Sequence, residues 1–166
     1  SVNEMTISAI NRKTNLDKIR EKVAKIKSFG NVHQHLDLIA GLPYEDYDSF
    51  ANSFNQVYAM KPDQLQLGFL KVLYGSNMKL MSGEYGIKHL SYPPYEVLET
   101  KWISYEDVLK LKEVEEVVEI YYNSFQFSNS VIYLEKMFET PFEFYEKLGT
   151  FYKANSMNGE KHSRIA

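Results

Sequence analysis

The chain has 166 residues, of which 44% are hydrophobic and 25% charged, and its 19 Lys and Arg against 22 Asp and Glu give a net charge of −3. This composition is typical of a folded globular protein, and the slight excess of acid argues against nucleic acid as the main partner. The chain has no cysteine, so it can form no disulfide and offers no thiolate to zinc or to an iron–sulfur cluster.

The first predicted elements are a helix and a strand. Asn15 is a good helix cap, the apolar residues after it recur at steps of three and four, and Gly30 ends the pattern. The apolar run within residues 36–39 then predicts a buried strand, which enters a tight turn at Gly41 and Pro43.

A second helix, from about Tyr47 to Met60, and a second strand within residues 63–73 complete a strand–helix–strand unit. Such a unit forms a parallel pair and needs neighbours on both edges. Because two strands are too few to close a domain, we expect this chain to be a piece of a longer α/β protein.

The second half of the chain is predicted to be mainly helical. Residues 74–103 carry glycines and prolines at irregular spacing, which predicts a connector with one short strand near residues 96–100. Three helices follow, with predicted caps at Ser104 with Asp107, at Asn129 or Ser130, and at Thr140 followed by Pro141. Their aromatic residues recur at helical spacing, which favours a core role over a pocket lining.

Four sites along the first half carry candidate chemistry. Gly41, at the carboxyl end of a parallel strand, would let a ligand approach the backbone, although a tight turn without a ligand fits the sequence equally well. His33 and His35 share a strand face, but no third metal ligand is placed beside them, which favours surface or packing roles. Asp37 lies in an apolar run and should have a helix terminus or a basic partner. Lys71 lies at the carboxyl end of the second strand, where it could meet a carboxylate or phosphate or simply be solvated.

Three stretches of the first half, in this order, resemble radical SAM enzymes: INRKT, HLDLIAGLPYEDYDSF and DQLQLGFLKVLYGS. They resemble the part of those enzymes that runs from the end of the fourth barrel strand through the fifth and sixth strands. A later stretch resembles a bacterial group in which a cobalamin-binding domain and the radical SAM barrel precede a helical, uncharacterised domain: YPPYEVLETKWISYEDVLKLKEVEEVVEIYYNS. The resemblance covers about residues 1–153.

The resemblance implies an α/β fold: a fragment of the radical SAM (β/α) barrel, with two parallel strands and their helices, followed by a small mainly helical domain. The implied division is a barrel part at 1–82, a connector at 83–103, a helical domain at 104–155 and a polar tail at 156–166. The complete protein would cleave S-adenosylmethionine with a 4Fe-4S cluster held by three cysteines, as an oxidoreductase or methyltransferase, with cobalamin as a further candidate cofactor. This chain lacks the cysteine loop, so we expect it to be inactive by itself.

The resemblance also implies cofactor-binding residues. Adenosine would be contacted by the turn after the first strand and by the end of the second: Ile39, Ala40, Gly41, Leu42, Pro43, Leu70, Lys71 and Val72. Arg12 matches an arginine of the related oxygen-independent coproporphyrinogen oxidases that meets the methionyl carboxylate, a task for which two parallel N–H donors are suited. The strict family motif has a glycine at the position of Asp37 and an acid at the position of Tyr44.

The remaining expectations concern partners and location. No apolar run reaches the roughly 20 residues that span a bilayer, and the first residues lack the features of a signal peptide, so we expect a cytoplasmic protein without a membrane partner.

The exposed barrel surface should make the fragment a homodimer, unless its own helices cover that surface. An alternative hypothesis is that the helical part after Ser104 is a partner-binding or substrate-recognition module without catalysis of its own. A stand-alone enzyme with a phosphate or sugar at Gly41 is disfavoured by the small number of strands.

Overall fold

The computed structural model describes residues 1–157, so residues 158–166 of the predicted polar tail lie outside the described residues. The helices are α1 (Glu4–Ala9), α2 (Leu16–Ser28), α3 (Tyr47–Tyr58), α4 (Asn77–Leu80), α5 (Tyr105–Val118), α6 (Ser128–Leu134) and α7 (Pro141–Ala154). The strands are β1 (His35–Ala40), β2 (Gln64–Phe69), β3 (Lys88–His89) and β4 (Val97–Glu99). A π-helix (Glu119–Asn123) continues α5, and a 3₁₀ turn (Glu135–Met137) continues α6.

Most predicted helix starts are confirmed by their capping hydrogen bonds. The Asn15 side chain accepts from the Lys18 amide at the start of α2, and Ser104 forms both bonds of its capping box at the start of α5. Thr140 caps α7, with proline at the first helical position. The local preferences of these residues therefore set the three starts.

The predicted cap of α6 is wrong. This helix begins at Ser128, two or three residues before the start that a cap at Asn129 or Ser130 would give, and no side chain caps it. Phe127 precedes the helix and its ring lies 4.9 Å from that of Tyr121. Packing of this aromatic pair fixes the start, which no local capping pattern reveals.

The two longer strands form the predicted parallel pair. β1 and β2 run side by side in register from His35 opposite Gln64 to Ala40 opposite Phe69, and α3 makes the crossover between them. This confirms the mixed α/β fold with parallel strands. β2 ends at Phe69, earlier than the apolar run that follows it, because the next residues turn to pair with the segment before β4.

Only one face of the strand pair is buried. Leu38, Leu65 and Leu67 lie in the core, whereas Asp37 and Gln66 are exposed and Ile39 is 39% exposed. The prediction of a buried β1 is therefore wrong for half of its residues, because side chains alternate between the two faces. The other face of the sheet is open and mainly polar.

One edge of the pair is also open. The Ala40 carbonyl accepts a hydrogen bond from the Leu70 amide on the β2 side, at 2.9 Å. Because bonding alternates along a parallel strand, the amides of Asp37 and Ile39 point to the opposite side. No strand among residues 1–157 pairs with β1 on that side.

The buried face is covered by α3, α5 and α7, which share one hydrophobic core with the strands. Tyr145 is fully buried at its centre, with ring centroids of Phe54, Tyr58 and Phe144 between 4.9 and 5.8 Å away. The core role predicted for the aromatic residues of the second half is confirmed for Phe144 and Tyr145, whereas Tyr133 is 70% exposed. Helices of the second half therefore pack directly on the crossover unit of the first.

A second, smaller core lies beyond the carboxyl ends of β1 and β2. It contains Val72, Tyr85, Ile87 and Val97 and is built mostly from the predicted connector. β3 and β4 form an antiparallel pair there, and the Val97 amide donates to the Leu70 carbonyl at 2.8 Å. The short strand predicted near residues 96–100 is confirmed, while β3, α1 and α4 are too short to produce a periodic pattern.

Candidate functional site

The turn after β1 is held by the first residues of the chain. The Thr6 hydroxyl donates to the Pro43 carbonyl at 2.8 Å, and the Asn3 side chain donates to the Tyr44 carbonyl at 2.9 Å. Asn3 also caps α1 through its other side-chain atom. One asparagine therefore starts α1 and fixes the turn at the same time.

A cavity of about 240 Å³ lies beside the open edge of β1. Three of the predicted cofactor-binding residues, Arg12, Ile39 and Leu42, line it together with Asp37. Arg12 is exposed, and the other walls are mainly aliphatic side chains of α1, α2 and α3. The cavity thus combines one guanidinium, one carboxylate and an apolar surface, and we take it as the candidate site.

The other predicted residues lie outside this cavity. Ala40, Gly41, Pro43 and Val72 are buried, so they contact the protein itself. Leu70 is half-buried, and Lys71 is exposed next to its backbone bridge with Glu96. The structure therefore brings together the residues around β1 but not those at the end of β2.

Gly41 is required by its surroundings within the protein. Its φ of +83° is one that L side chains rarely adopt, and an added Cβ would lie 2.6 Å from Cγ1 of Val97. The space into which a side chain would project is thus filled by β4. This accounts for the glycine without a ligand.

The interpretation of Asp37 as a partnered buried acid is wrong. Its side chain points to the open face of the sheet, is exposed, and forms no ion pair or hydrogen bond with any other of the described residues. Strand alternation explains this, because Asp37 lies between the buried positions of β1.

His33 and His35 are also exposed, with ring centroids 4.7 Å apart. Within residues 1–157 no group of three or more metal-binding side chains comes together.

Glu45 is a buried acid that the sequence did not single out. Its Oε1 accepts from the hydroxyls of Ser1 at 2.6 Å and Ser53 at 3.0 Å, while its Oε2 has no hydrogen-bond partner. Burial raises the pKa of this carboxyl, because the charged form loses its hydration. Glu45 stands just before the cap of α3, which is Asp46.

Three aromatic side chains cover the turn from the side of the second core. The Tyr44 ring lies 4.5 Å from Trp102 and 5.9 Å from Tyr85, measured between centroids. Tyr44 adopts a φ of 63°, an uncommon backbone conformation for tyrosine. The turn is therefore fixed on one side by the start of the chain and on the other by the connector, contacts between distant residues that no local pattern predicts.

Replacing Gly41 with valine should lower the free energy of unfolding by about 2 to 3 kcal/mol, since the new side chain meets Val97 and strains the backbone. Chemical denaturation measures this loss. Gly83→Val is the control, because a Cβ at Gly83 has no neighbour within 4 Å. If Gly41→Val instead kept native stability and only weakened cofactor binding by the complete protein, the role of Gly41 would lie in ligand binding.

Glu45 should make stability depend on pH. A raised pKa in the folded state means that the folded protein binds this proton more tightly than the unfolded chain does. The resulting stabilisation is fully present below the ordinary pKa of 4.5 and is lost as pH rises through the raised pKa of the folded state. Glu45→Gln keeps the Oε1 acceptor without the charge, and should lose less stability between pH 4.5 and about 7. Denaturation at the two pH values checks this. Glu4→Gln, at an exposed position, should follow the unsubstituted chain; parallel profiles for all three proteins would contradict the role of Glu45.

Within residues 1–157, none of the helices is long and apolar enough to cross a membrane.

Comparison with known proteins identifies one family. The family model described as a protein of unknown function, DUF4080, matches residues 83–166, which is just over half of the chain. No curated protein matches the chain. The extent of the family match shows that the chain belongs to the DUF4080 family.

Proposed function

We propose that this chain is the carboxyl-terminal part of a radical SAM enzyme, in which residues 1–82 form a segment of the (β/α) barrel. The observation that supports this proposal is that the parallel β1–β2 pair is covered on one face only. One face packs against helices, whereas the other face and the β1 edge are open. Parallel strands with helices on the outer face and functional side chains at their carboxyl ends are the building units of such barrels.

Side chains that line the cavity beside β1 include groups that suit S-adenosylmethionine, which would meet them from the carboxyl end of the strand, because a further strand of the barrel would fill the edge itself. Arg12 is an exposed guanidinium that can give two parallel donors to a methionyl carboxylate. Ile39 and Leu42 provide apolar surface for a ring, and Asp37 is an anionic acceptor on the same wall. These residues would bind and orient the cofactor, which supplies the radical chemistry when it is bound.

The chain itself does not fit a 4Fe-4S cluster, because it has no cysteine to act as a ligand. The cluster ligands of the proposed enzyme therefore belong to another part of the complete protein. We assign no residue of this chain to cobalamin. A cysteine triplet of the form CxxxCxxC upstream in the complete polypeptide would support the proposal, and a complete polypeptide without one would refute it.

Arg12→Gln in the complete protein, reconstituted without oxygen, should weaken S-adenosylmethionine binding by about tenfold or more, because a charge-assisted carboxylate contact is lost. Equilibrium dialysis measures the affinity. Lys13→Gln removes the same charge from an adjacent exposed residue that does not line the cavity. Equal affinity in the two variants would contradict the assigned role of Arg12.

A homodimer of this chain is also proposed, through the open edge and face of β1. Unpaired strand edges tend to pair with another chain, and Ile39 adds exposed apolar surface there. Light scattering of the 166-residue chain should show a dimer that Ile39→Lys weakens. A monomer at every concentration tested would contradict this proposal.

Recognition by the helical part is a second candidate function. It is favoured by Tyr133 and Met137, which are 70% and 72% exposed around the end of α6. Contiguous apolar patches at the surface are typical of contact sites, and Ile132 and Leu134, next to Tyr133 in the chain, are also exposed. In this case the second half of the chain would contribute binding of a partner or substrate and no catalysis.

A further inference from the structure

A second cavity of about 240 Å³ lies at the amino end of β2, at the opposite end of the sheet from the turn at Gly41. It is enclosed by the end of α2, the segment between α3 and β2, the π-helix and α6. Aromatic and aliphatic side chains dominate its walls, among them Tyr58, Tyr121, Tyr122, Phe125 and Ile132. Both halves of the chain therefore contribute to it.

Three unusual backbone features meet at this cavity. The π-helix supplies Tyr121 and Tyr122, and such helices occur frequently at functional sites. Lys61 and Phe125, which also line the cavity, have φ values of 51° and 58° although neither is a glycine. Both residues follow the end of a helix, where such a backbone conformation is common, so the π-helix is the backbone feature that favours a functional site here.

The tyrosines offer their rings to the cavity, since their hydroxyl groups are already engaged. The Tyr58 hydroxyl donates to Glu135 at 2.7 Å, and that of Tyr122 donates to the Pro62 carbonyl at 2.6 Å. The Tyr121 hydroxyl is hydrogen-bonded to Tyr152 at 2.7 Å. Burial raises the pKa of Tyr122 to about 12, so its ring is neutral near pH 7.

Four charged side chains line the cavity, and Lys61 is the one among them that has no partner among the described residues. The Asp63 carboxylate accepts from the Gln34 amide at 2.7 Å, and Glu135 is occupied by Tyr58. Lys27 donates to the Lys61 carbonyl at 2.5 Å. The Lys61 ammonium forms no ion pair or hydrogen bond with other described residues, so it is available to a ligand.

We propose that this cavity binds a planar aromatic molecule that carries one anionic group. The molecule's ring would stack against the tyrosine and phenylalanine side chains, and its carboxylate or phosphate would meet the Lys61 ammonium. The site lies apart from the cavity beside β1 and does not depend on the radical SAM proposal. It uses aromatic residues of the second half for recognition while the rest of the same aromatic set forms the core.

Titration of the 166-residue chain with indole-3-carboxylate, followed by amide chemical shifts in NMR spectra, tests the proposal. We expect saturable shifts at the residues that line the cavity, and weaker binding of indole, which has the ring but no anion. Phenyl phosphate serves as a second probe, which distinguishes a phosphate preference from a carboxylate preference.

Lys61→Gln should weaken indole-3-carboxylate binding by about fivefold and leave indole unaffected, because one partly exposed charge contact is lost. Lys61→Arg should retain the affinity. Lys136→Gln removes the same charge from an exposed residue that does not line the cavity, and should bind like the unsubstituted chain. Absence of saturable shifts at the cavity would overturn the site, and equal loss in Lys61→Gln and Lys136→Gln would overturn the anionic ligand.

Discussion

Parallel pairing of β1 with β2 is the constraint on which the rest of the structure depends. Two parallel neighbours cannot be joined by a tight turn, so α3 must cross over one face of the pair, and that face becomes buried. The apolar side of α3 then provides the surface on which α7 packs, through contacts such as Phe54 with Tyr145. The remaining face and the free edge of β1 stay open, and the candidate cofactor cavity lies beside that edge.

The two ends of the strand pair differ in the parts of the chain that pack against them. At the carboxyl end, the turn around Gly41 packs against Val97, accepts hydrogen bonds from residues 1–6 and is mostly buried. At the amino end, the DUF4080 part of the chain lays aromatic rings and a π-helix over the start of β2. Asn123 of that π-helix binds both backbone groups of Leu65, at 3.0 and 3.1 Å, which ties the helical part to the strand.

Sequence reasoning succeeds where the information is local. Asn15, Ser104 and Thr140 start their helices because each side chain caps the amides just after it. It fails where the deciding contact comes from a distant part of the chain. Ile39 is apolar but faces the open side of the sheet. Tertiary packing also decides three further features. It places Val97 in the space beside Gly41, buries Glu45 beside Ser53 and forms the cavity at Lys61.

The central claim is that β1 is an inner strand of a larger parallel sheet in the complete protein. Hydrogen exchange at the amides of Asp37 and Ile39, which point away from β2, tests it most directly. The two amides should exchange slowly in the complete protein and much faster in a dilute solution of the 166-residue chain, where they would lack a strand partner. Equally fast exchange in both proteins would show that no strand pairs there and would contradict the barrel assignment.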